Sequence, residues 1–361
     1  RINLIREGQT TATGQVIRDG ADRVAVLERA LELSDFRAKQ REHTAFNAAH
    51  PTARRGIGLA TFHHGAGFTG SGEVHLRSRM RVAGLPDGRV EVLSASIEMG
   101  QGTLTLFTQI AADALGLDPE DVVIAEPDTS RVPNSGPTVA SRTAMVVGKL
   151  LERACDDLKA RAGLDERAAG AAVKQGIARW HRAHPGAALA GEAVYQPPPG
   201  IEWDEASYRG DAYGTFAWAT YVAEVEVDLR TCITRVLDFV AVQDVGKVLN
   251  ETLARGQIQG GVVQGLGWAL MEECAWRDGA MVNNQLTNYI IPTSDDVPPI
   301  RVAFMESPYP FGPQGAKGLG ELPLDGAAPA VANAVAAATG AAPTSIPITP
   351  ERLLALTGAG A

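Results

Sequence analysis

A glutamate at the end of a glycine-rich loop is the first candidate for chemistry in this sequence. Glu321 follows the loop at residues 312–320 and precedes Leu322-Pro323. A carboxylate in such a place is expected to be partly buried, with a raised pKa, and to serve as a general base. The alternative is a glutamate at a helix start that only interacts with the helix dipole. The residue pattern by itself favours this alternative.

Two further segments share the design of this loop, in which a turn-rich stretch runs straight into a predicted helix. They are residues 98–102 (Glu-Met-Gly-Gln-Gly) and residues 132–143, which contain Pro-Asn-Ser-Gly-Pro-Thr-Val-Ala-Ser. Glycine lets a backbone approach a ligand closely, and the first turn of a helix offers N–H donors to an anion. The three segments together predict a large, phosphate-bearing ligand. Each loop alone is better interpreted as an ordinary helix start.

An ordinary nucleotide site is disfavoured by the motifs that are missing. The sequence has no Walker A lysine pattern and no G-x-G-x-x-G after a predicted strand. It also has no G-x-S-x-G nucleophile elbow. The predicted ligand is therefore of another kind.

Two glutamines and two histidines are further polar residues whose interactions have more than one interpretation. Gln257 and Gln264 are seven residues apart on one predicted helix and share a face. Buried glutamines need hydrogen-bond partners, which either a polar cofactor or a neighbouring helix would supply. His63 and His64 are adjacent, without cysteines or carboxylates at ligand spacing. We expect these histidines to be surface or packing residues and predict no metal-ligand cluster.

The predicted elements mix helices and strands without the regular alternation of a doubly wound sheet, which predicts an α+β fold. Periodicity and turn signals predict helices at 23–33, 102–115, 141–162, 253–276, 327–339 and 350–356, and strands at 73–82, 89–93, 122–125, 221–228, 232–242, 286–292 and 300–305. Residues 163–200 are interpreted as a connection. We divide the chain into a lead-in at 1–55 and two similar-sized subdomains at 56–195 and 196–361.

The composition is that of a globular protein. The 361 residues are 45% hydrophobic and 21% charged, which excludes a disordered chain. No apolar run approaches the roughly 18 residues of a membrane span. The net charge is −9 and no Lys/Arg run is present, which argues against nucleic-acid binding. Cys155, Cys232 and Cys274 are widely separated, so they favour a reducing, cytoplasmic setting over a disulfide framework.

Four segments taken together resemble the molybdenum-binding subunit of the xanthine dehydrogenase / aldehyde oxidase family, in the order and spacing of that family. The matching segments are 98–116 (starting Glu-Met-Gly-Gln-Gly), 128–141, 256–273 (starting Gly-Gln-Ile-Gln-Gly and ending Glu-Glu) and 315–321 (Gly-Ala-Lys-Gly-Leu-Gly-Glu). The resemblance runs from about residue 2 to the C-terminus. One such motif is weak evidence, whereas four in register are specific.

This resemblance implies an activity and a set of site residues. The family catalyses oxidative hydroxylation of an N-heterocycle such as a purine or nicotinate, or of an aldehyde, with oxygen from water. The resemblance implies that Glu321 is the catalytic base. It also implies that the cofactor dithiolene holds molybdenum, so no side chain is a metal ligand. The implied cofactor contacts are Met99, Gly100, Gln101, Gly102, Thr138, Ala140, Ser141, Arg142, Thr143 and Gln257.

Partner chains are implied by the route of the electrons. In this family the electrons pass through two [2Fe–2S] clusters to FAD, and clusters need sets of cysteine thiolates. Three scattered cysteines cannot hold them. We therefore expect a [2Fe–2S] subunit, an FAD subunit and the N-terminal half of the molybdenum subunit, in a dimer of the heteromer. The molybdopterin is expected in its cytosine dinucleotide form.

The sequence departs from the family pattern in two ways. The catalytic loop reads Gly-Glu-Leu-Pro at 320–323 where the family has Gly-Glu-Pro-Pro, which we interpret as a tolerated packing change. The chain also resembles only the C-terminal half of the molybdenum subunit and lacks the Phe-Gly loop and Arg-Gly-Phe-Gly segment of the other half. It therefore resembles one piece of a split subunit, similar to nicotinate dehydrogenase, or a cleaved chain.

Three other interpretations stay open on the sequence. In the first, the chain is a non-catalytic cofactor-binding or assembly half in which Glu321 is structural. Alternatively, the same family chemistry runs as reductive dehydroxylation of an aromatic CoA thioester. The third interpretation is an unrelated metabolic enzyme with fortuitous glycine loops.

Overall fold

The computed structural model describes residues 1–358, which contain ten α-helices and twelve β-strands. The helices are α1 (Arg23–Leu33), α2 (Phe36–Ala49), α3 (Gly72–Leu76), α4 (Thr103–Leu115), α5 (Gly148–Arg161), α6 (Ala171–Ala183), α7 (Glu251–Leu270), α8 (Leu322–Asp325), α9 (Ala327–Thr339) and α10 (Pro350–Thr357). The strands are β1 (Ala53–Gly65), β2 (Arg79–Gly84), β3 (Val90–Leu93), β4 (Val122–Ile124), β5 (Leu189–Val194), β6 (Trp203–Asp204), β7 (Arg209–Gly210), β8 (Phe216–Asp228), β9 (Thr234–Asp244), β10 (Trp276–Arg277), β11 (Ala280–Met281) and β12 (Ile300–Met305). The predicted α+β fold is confirmed. Within residues 1–358, no helix combines the length and apolar character that a membrane crossing requires.

The larger sheet carries the main apolar core. Its strand order is β1-β8-β9-β12, with β1 and β9 antiparallel to β8, and β12 parallel to β9. Helix α9 packs on one face of this sheet, and α1 and α2 pack on the other. Successive side chains of a strand point to opposite faces. Tyr221 and Val225 of β8 therefore belong to the core under α9, whereas Val222 belongs to the core under α1.

Two glycines of β1 let α9 lie directly on the sheet. A Cβ atom at Gly58 would lie 2.1 Å from the backbone nitrogen of Ala334, and one at Gly56 would lie 2.1 Å from the carbonyl oxygen of the same residue. Any larger residue at either position would force the helix away from the strand. The contact agrees with the small side chains on the buried side of α9, which are four alanines and two valines.

The smaller sheet has the strand order β4-β3-β2-β5 and lies against α4 and α5. Phe107 and Ile110 of α4, with Leu150 and Leu151 of α5, are buried on it. Strands β2 and β3 form a hairpin through the predicted turn at 86–88.

Two segments fold differently from the prediction, one through a distant contact and one through local helix propensity. The alternating stretch at 73–82 begins as helix α3, and strand β2 starts only at Arg79. Glu73 is buried in α3 and binds the guanidinium of Arg142, a tertiary contact that overrides the strand pattern. The predicted connection at 163–200 contains α6 and β5, and α6 buries Val173 and Ile177. Its alanines are helix formers, although their composition suggested a connection.

The predictions at 253–276 and 286–292 are also corrected. Helix α7 ends at Leu270, because Met271 has the non-helical φ of −144°, and Trp276 pairs with Met281 in the β10–β11 hairpin. Residues 286–292 form no strand in the structure. Their apolar side chains Leu286, Ile290 and Ile291 are exposed.

Strand β1 crosses the boundaries that the sequence suggested. It starts in the predicted lead-in and continues into the predicted first subdomain, yet it pairs with β8 of the predicted second one. The reason is burial, because α9 covers one face of β1 and α2 packs against it as well. Residues 53–65 thus belong structurally to the larger sheet, and α1 and α2 cover it.

Candidate cofactor and catalytic site

One cavity of about 380 Å³ is lined by all three glycine-rich segments, by the first half of α4 and by α7. The predicted residues that line it are Met99, Gln101, Thr138, Ala140, Ser141, Arg142, Thr143, Gln257 and Glu321. The structure therefore brings together residues that are more than two hundred positions apart in sequence. Gly100 and Gly102 lie in the first segment but do not line the cavity.

The start of α4 is already occupied by a carboxylate of its own loop. Glu98 accepts hydrogen bonds from the backbone N–H groups of Gly100 at 2.8 Å, Gly102 at 2.9 Å and Leu104 at 3.1 Å. Partial burial raises the pKa of Glu98, but these backbone donors outweigh it and hold the pKa below the ordinary value. The expectation that this helix start offers free N–H donors to an anion is therefore corrected, since Glu98 takes that role.

The Gln101 side chain closes the same loop from inside. Its carbonyl oxygen accepts from the N–H of Met99 at 2.7 Å. Its amide nitrogen donates to the carbonyl of Ile97 and to the hydroxyl of Thr103, both at 2.8 Å. The carboxamide thus shapes the loop, while Met99, which is 63% exposed, lies at the cavity wall.

Two consecutive residues of the second segment have left-handed backbone conformations. Ala140 has φ of 53° and Ser141 has φ of 52°, a region that non-glycine residues seldom adopt. The Ala140 carbonyl accepts from the N–H of Gly67 at 2.8 Å, which holds the strained turn. A Cβ atom at Gly318 would lie 2.2 Å from the Ser141 carbonyl oxygen, so the third segment packs directly on this turn. A π-helical turn at Thr143–Val147 then leads into α5.

Arg142 is directed away from the cavity into the protein interior. Its guanidinium is fully buried and donates to both carboxylate oxygens of Glu73 at 2.8 Å. It also donates to Ser78 Oγ at 2.7 Å and to the carbonyls of Ser135 at 2.9 Å and Pro137 at 3.2 Å. All five N–H donors of the side chain are therefore engaged. Arg142 contributes to the site by fixing the loop that precedes it.

Glu321 lies just before α8, and its side chain is 51% exposed. Its backbone N–H donates to Ser141 Oγ at 2.9 Å, and that hydroxyl donates to Glu321 Oε2 at 3.2 Å. The sequence predicted a partly buried carboxylate, whereas about half of the Glu321 side chain is open to solvent. These two hydrogen bonds join the second segment to the end of the third, so they fix the position of the carboxylate relative to the strained turn.

His64 is a site residue that the sequence did not reveal. Its Nε2 lies 3.1 Å from Glu321 Oε2, and its Nδ1 lies 2.9 Å from Asp325 Oδ2. The hydrogen bond to Asp325, the larger cause, and the nearby Glu321 carboxylate raise the pKa of His64 above 6.5, although burial opposes them. His63, by contrast, packs against Trp218, as expected of a packing residue. No local pattern distinguishes the two, because the carboxylates of His64 are distant in sequence.

Other cavity residues were also absent from the sequence prediction. Lys317 and Asp244 form a buried ion pair at 3.3 Å, and Lys317 lines the cavity. Lys247 and Asn250 line the same wall. Gln257 is half-buried there and makes no side-chain hydrogen bond within residues 1–358. Among the described residues, no cluster of three or more His, Cys, Asp or Glu side chains has metal-binding geometry.

Comparisons with known proteins agree with this arrangement. Residues 29–298 match the family model of the molybdopterin cofactor-binding domain. The xanthine dehydrogenase molybdenum-binding subunit of Escherichia coli O157:H7 is 33% identical over 314 residues, which are 83% of this chain and 42% of that protein. The chain thus spans less than half the length of this curated relative.

Solved structures with the same fold include enzymes of two substrate classes. Quinoline 2-oxidoreductase from Pseudomonas putida 86 superposes with a TM-score of 0.84 at 28% identity, covering 97% of this chain and 47% of that chain. The aldehyde oxidoreductase from Desulfovibrio gigas superposes with a TM-score of 0.83 at 26% identity, covering 98% of this chain and 37% of that chain.

Proposed function

Because the chain belongs to the xanthine dehydrogenase / aldehyde oxidase family of molybdopterin cofactor-binding proteins, we propose that it is the cofactor-binding, catalytic half of a molybdenum hydroxylase. The proposed reaction is oxidative hydroxylation of an N-heterocycle such as a purine or nicotinate, or of an aldehyde. The observation that carries the proposal is the convergence of three glycine-rich segments and Glu321 on one cavity.

The cavity suits a flat, polar group that carries a phosphate. The backbone N–H groups of Ala140 and Ser141 donate to no other residue within 1–358 and are available to such a ligand. The side chain of Gln257 is likewise without a partner among these residues. Lys247 lines the wall with its ammonium group 3.9 Å from the Glu306 carboxylate, and the absence of a side chain at Gly318 lets two loops meet closely.

Apart from Gly100 and Gly102, which do not line the cavity, these contacts divide the proposed cofactor residues into two groups. Direct contacts are assigned to Met99 and Gln257, and to the segment that includes Thr138, Ala140, Ser141 and Thr143. Gln101 and Arg142 act by shaping their own loops, since their side-chain donors are already engaged. The geometry of the site would then depend on residues that need not touch the cofactor.

Glu321 is proposed as the general base. When bound, the molybdenum cofactor supplies a redox centre that accepts two electrons from the substrate. The Glu321 carboxylate accepts the proton that is released as oxygen from water is inserted. Its Oε2 is held by Ser141 and His64, so Oε1 is the oxygen that remains available for this proton.

The substrate proposal is supported by what the similar proteins act on. Xanthine and quinoline, which the names of two similar proteins give, are N-heterocycles. The Desulfovibrio gigas protein supports an aldehyde as the second class. We therefore propose an electrophilic carbon of one of these classes as the reacting centre.

The electron acceptors are proposed to lie in partner chains. Cys155 and Cys232 are buried and Cys274 is exposed, so the three thiols do not converge on a cluster. We propose a [2Fe–2S] subunit, an FAD subunit and the remaining half of the molybdenum subunit, in a cytoplasmic dimer of the heteromer. The cofactor is proposed to be the cytosine dinucleotide form of molybdopterin.

The proposal is tested by purifying the full chain with the chains that accompany it. We expect about one molybdenum per copy of this chain, iron and FAD in the partners, and release of a cytosine nucleotide on mild hydrolysis. Turnover of a purine, nicotinate or an aldehyde with an artificial electron acceptor is expected. Protein without molybdenum contradicts the proposal, and molybdenum-replete protein without turnover supports the non-catalytic alternative.

A further inference from the structure

One histidine connects the proposed base to a second carboxylate. The imidazole of His64 lies between Glu321 and Asp325, with Nε2 3.1 Å from Glu321 Oε2 and Nδ1 2.9 Å from Asp325 Oδ2. Glu321 and Asp325 are four residues apart across the single turn of α8, which places both carboxylates on one side of it. His64 is the next-to-last residue of β1, which packs against α8. The three side chains therefore form a continuous hydrogen-bonded chain.

The strand determines which of the two adjacent histidines takes this position. Successive residues of β1 point to opposite faces, so His63 and His64 cannot both reach α8. His63 lies 4.7 Å from the ring of Trp218, measured between ring centroids. His64 faces α8, and its partner across the sheet is the small residue Ala217.

Asp325 fixes how protons are arranged on the ring. A carboxylate can only accept, so we assign the single proton of the neutral imidazole to Nδ1, which makes the shorter contact, 2.9 Å to Asp325 against 3.1 Å from Nε2 to Glu321. Nε2 is then an acceptor toward Glu321. When Glu321 is protonated, its O–H can donate to this nitrogen. When His64 is charged, Nε2–H donates to the Glu321 carboxylate instead. A proton can therefore pass between the two residues without displacement of either backbone.

His63 and the charged groups around it do not compete with His64 for this proton. Burial, followed by the charges of Arg23 and His64, lowers the pKa of His63, and the opposing carboxylates of Asp19 and Asp325 do not reverse this. Arg23 is paired with Asp19 and lies 4.1 Å over the Trp218 ring. The groups that face His64 from α8 are Glu321 and Asp325, and both raise its pKa above 6.5.

We propose that His64 is the group that receives the proton collected by Glu321 and releases it to solvent, with Asp325 positioning its ring. This inference rests on the proposed role of Glu321 as the base. The proton taken up at Oε1 turns toward His64 when the carboxyl group rotates about its last bond. The O–H bond of Glu321 then breaks as an N–H bond forms at Nε2, and no electrons are transferred. The imidazolium afterwards releases one proton to water, since its side chain is 28% exposed.

This role requires His64 to be neutral when Glu321 takes up its proton. Turnover should therefore rise with pH as His64 loses its proton, at a pKa above 6.5. A His64 that only positions Glu321 by a hydrogen bond would not impose this dependence. The shape of the pH profile and rescue by an external base therefore distinguish the two roles.

The first measurement is the kcat–pH profile of the holoenzyme with its partner chains. In His64→Gln, we expect plateau kcat to fall by on the order of 10²-fold and the His64-dependent acidic limb to disappear. In His64→Ala, added imidazole should restore turnover in proportion to its concentration. His184→Gln removes an exposed histidine on the C-terminal side of α6 and should leave the profile unchanged. An unaltered acidic limb in His64→Gln, or no imidazole rescue, overturns the proposal.

The second measurement does not depend on activity. In the full chain labelled with ¹³C at histidine Cε1, the His64 signal should titrate above 6.5 and the His63 signal below it. Asp325→Asn should lower the His64 midpoint, whereas a midpoint that does not change overturns the positioning role of Asp325. If Glu321→Gln keeps full turnover, the proposed function fails. If Glu321→Gln is inactive while the His64 variants behave like wild type, only this inference fails.

Discussion

The hydroxyl of Ser141 is held between the backbone and the side chain of Glu321. It accepts from the Glu321 N–H at 2.9 Å and donates to Oε2 of the same residue at 3.2 Å. Ser141 itself has a left-handed backbone conformation. The strained turn and the carboxylate are therefore parts of one structure, so a change in either is expected to alter the other.

Replacement of Glu321 by glutamine should separate binding from chemistry. Glu321→Gln keeps the size of the side chain and an oxygen for the Ser141 hydroxyl, so cofactor content should not change. The carboxylate that accepts a proton is lost, and kcat should fall by roughly 10²–10⁴-fold. Metal analysis and turnover on the same preparation provide the check. Near wild-type kcat in molybdenum-replete Glu321→Gln would show that another group is the base.

The close approach of the third segment to Ser141 predicts a difference between two neighbouring glycines. In Gly318→Ala, the new methyl group would lie 2.2 Å from the Ser141 carbonyl oxygen and 2.4 Å from the Ala66 Cβ. We expect a destabilisation of about 1–3 kcal/mol and loss of cofactor retention. In the control Gly320→Ala, the nearest atom is 3.4 Å away, which is ordinary contact. Molybdenum content and urea denaturation of both variants test this, and equal behaviour of the two would contradict the packing argument.

The buried pair of Arg142 and Glu73 predicts a large effect on stability. Arg142→Met leaves the Glu73 carboxylate buried without its partner, which should destabilise the fold by about 3–5 kcal/mol. The exposed pair of Arg81 and Glu192 is the matched control, and Arg81→Met should change the unfolding free energy by less than about 1 kcal/mol.

Chemical denaturation of the full chain measures both variants. The double variant with Glu73→Met should recover part of the loss, because no unpaired charge then remains in the interior. An Arg142→Met protein as stable as Arg81→Met would show that the pair does not hold the loop.

The carboxylate at the start of α4 predicts a pH-dependent contribution. The pKa of Glu98 is lower in the folded protein than its ordinary value of 4.5. Its stabilisation is therefore complete above that value and is lost as the pH falls through the folded-state pKa. Glu98→Gln should lower the unfolding free energy at neutral pH by less than about 1 kcal/mol, because solvent screens this exposed carboxylate, and the difference from wild type should shrink in acid.

Glu42→Gln on α2 is the control for this experiment, because Glu42 is an exposed helix carboxylate. Its denaturation curves should follow those of the wild type throughout the pH range. A Glu98→Gln difference that stays constant from pH 7 to below the folded-state pKa would contradict the role of the charge.

Local patterns predicted those features whose cause is local. Glycine spacing before a helix located the three segments, and the motif at 315–321 located Glu321. The helix α4 and its end at Gly116 followed from apolar periodicity and from the left-handed conformation that glycine tolerates. These features depend on neighbours within a few residues.

Features that depend on distant partners could not be predicted in this way. Glu73 seemed part of a strand because its partner Arg142 lies 69 positions away. His64 seemed a packing residue because Glu321 lies 257 positions away. Even a local contact was misjudged at Glu98, since the same N–H groups suit either a ligand anion or a side-chain carboxylate. Burial and competition between partners decided each case.

The pairing of β1 with β8 also determines the order in which the chain can fold. The whole smaller sheet, from β2 to β5, lies between these two strands in sequence. That sheet can therefore form from contacts within its own segment as synthesis proceeds, before β8 exists. Strand β1 must wait for a partner that is made much later, and closing so long a loop is an intrinsically slow step. We therefore expect assembly of the larger sheet, and with it the alignment of His64 and Glu321, to be the last event in forming the site.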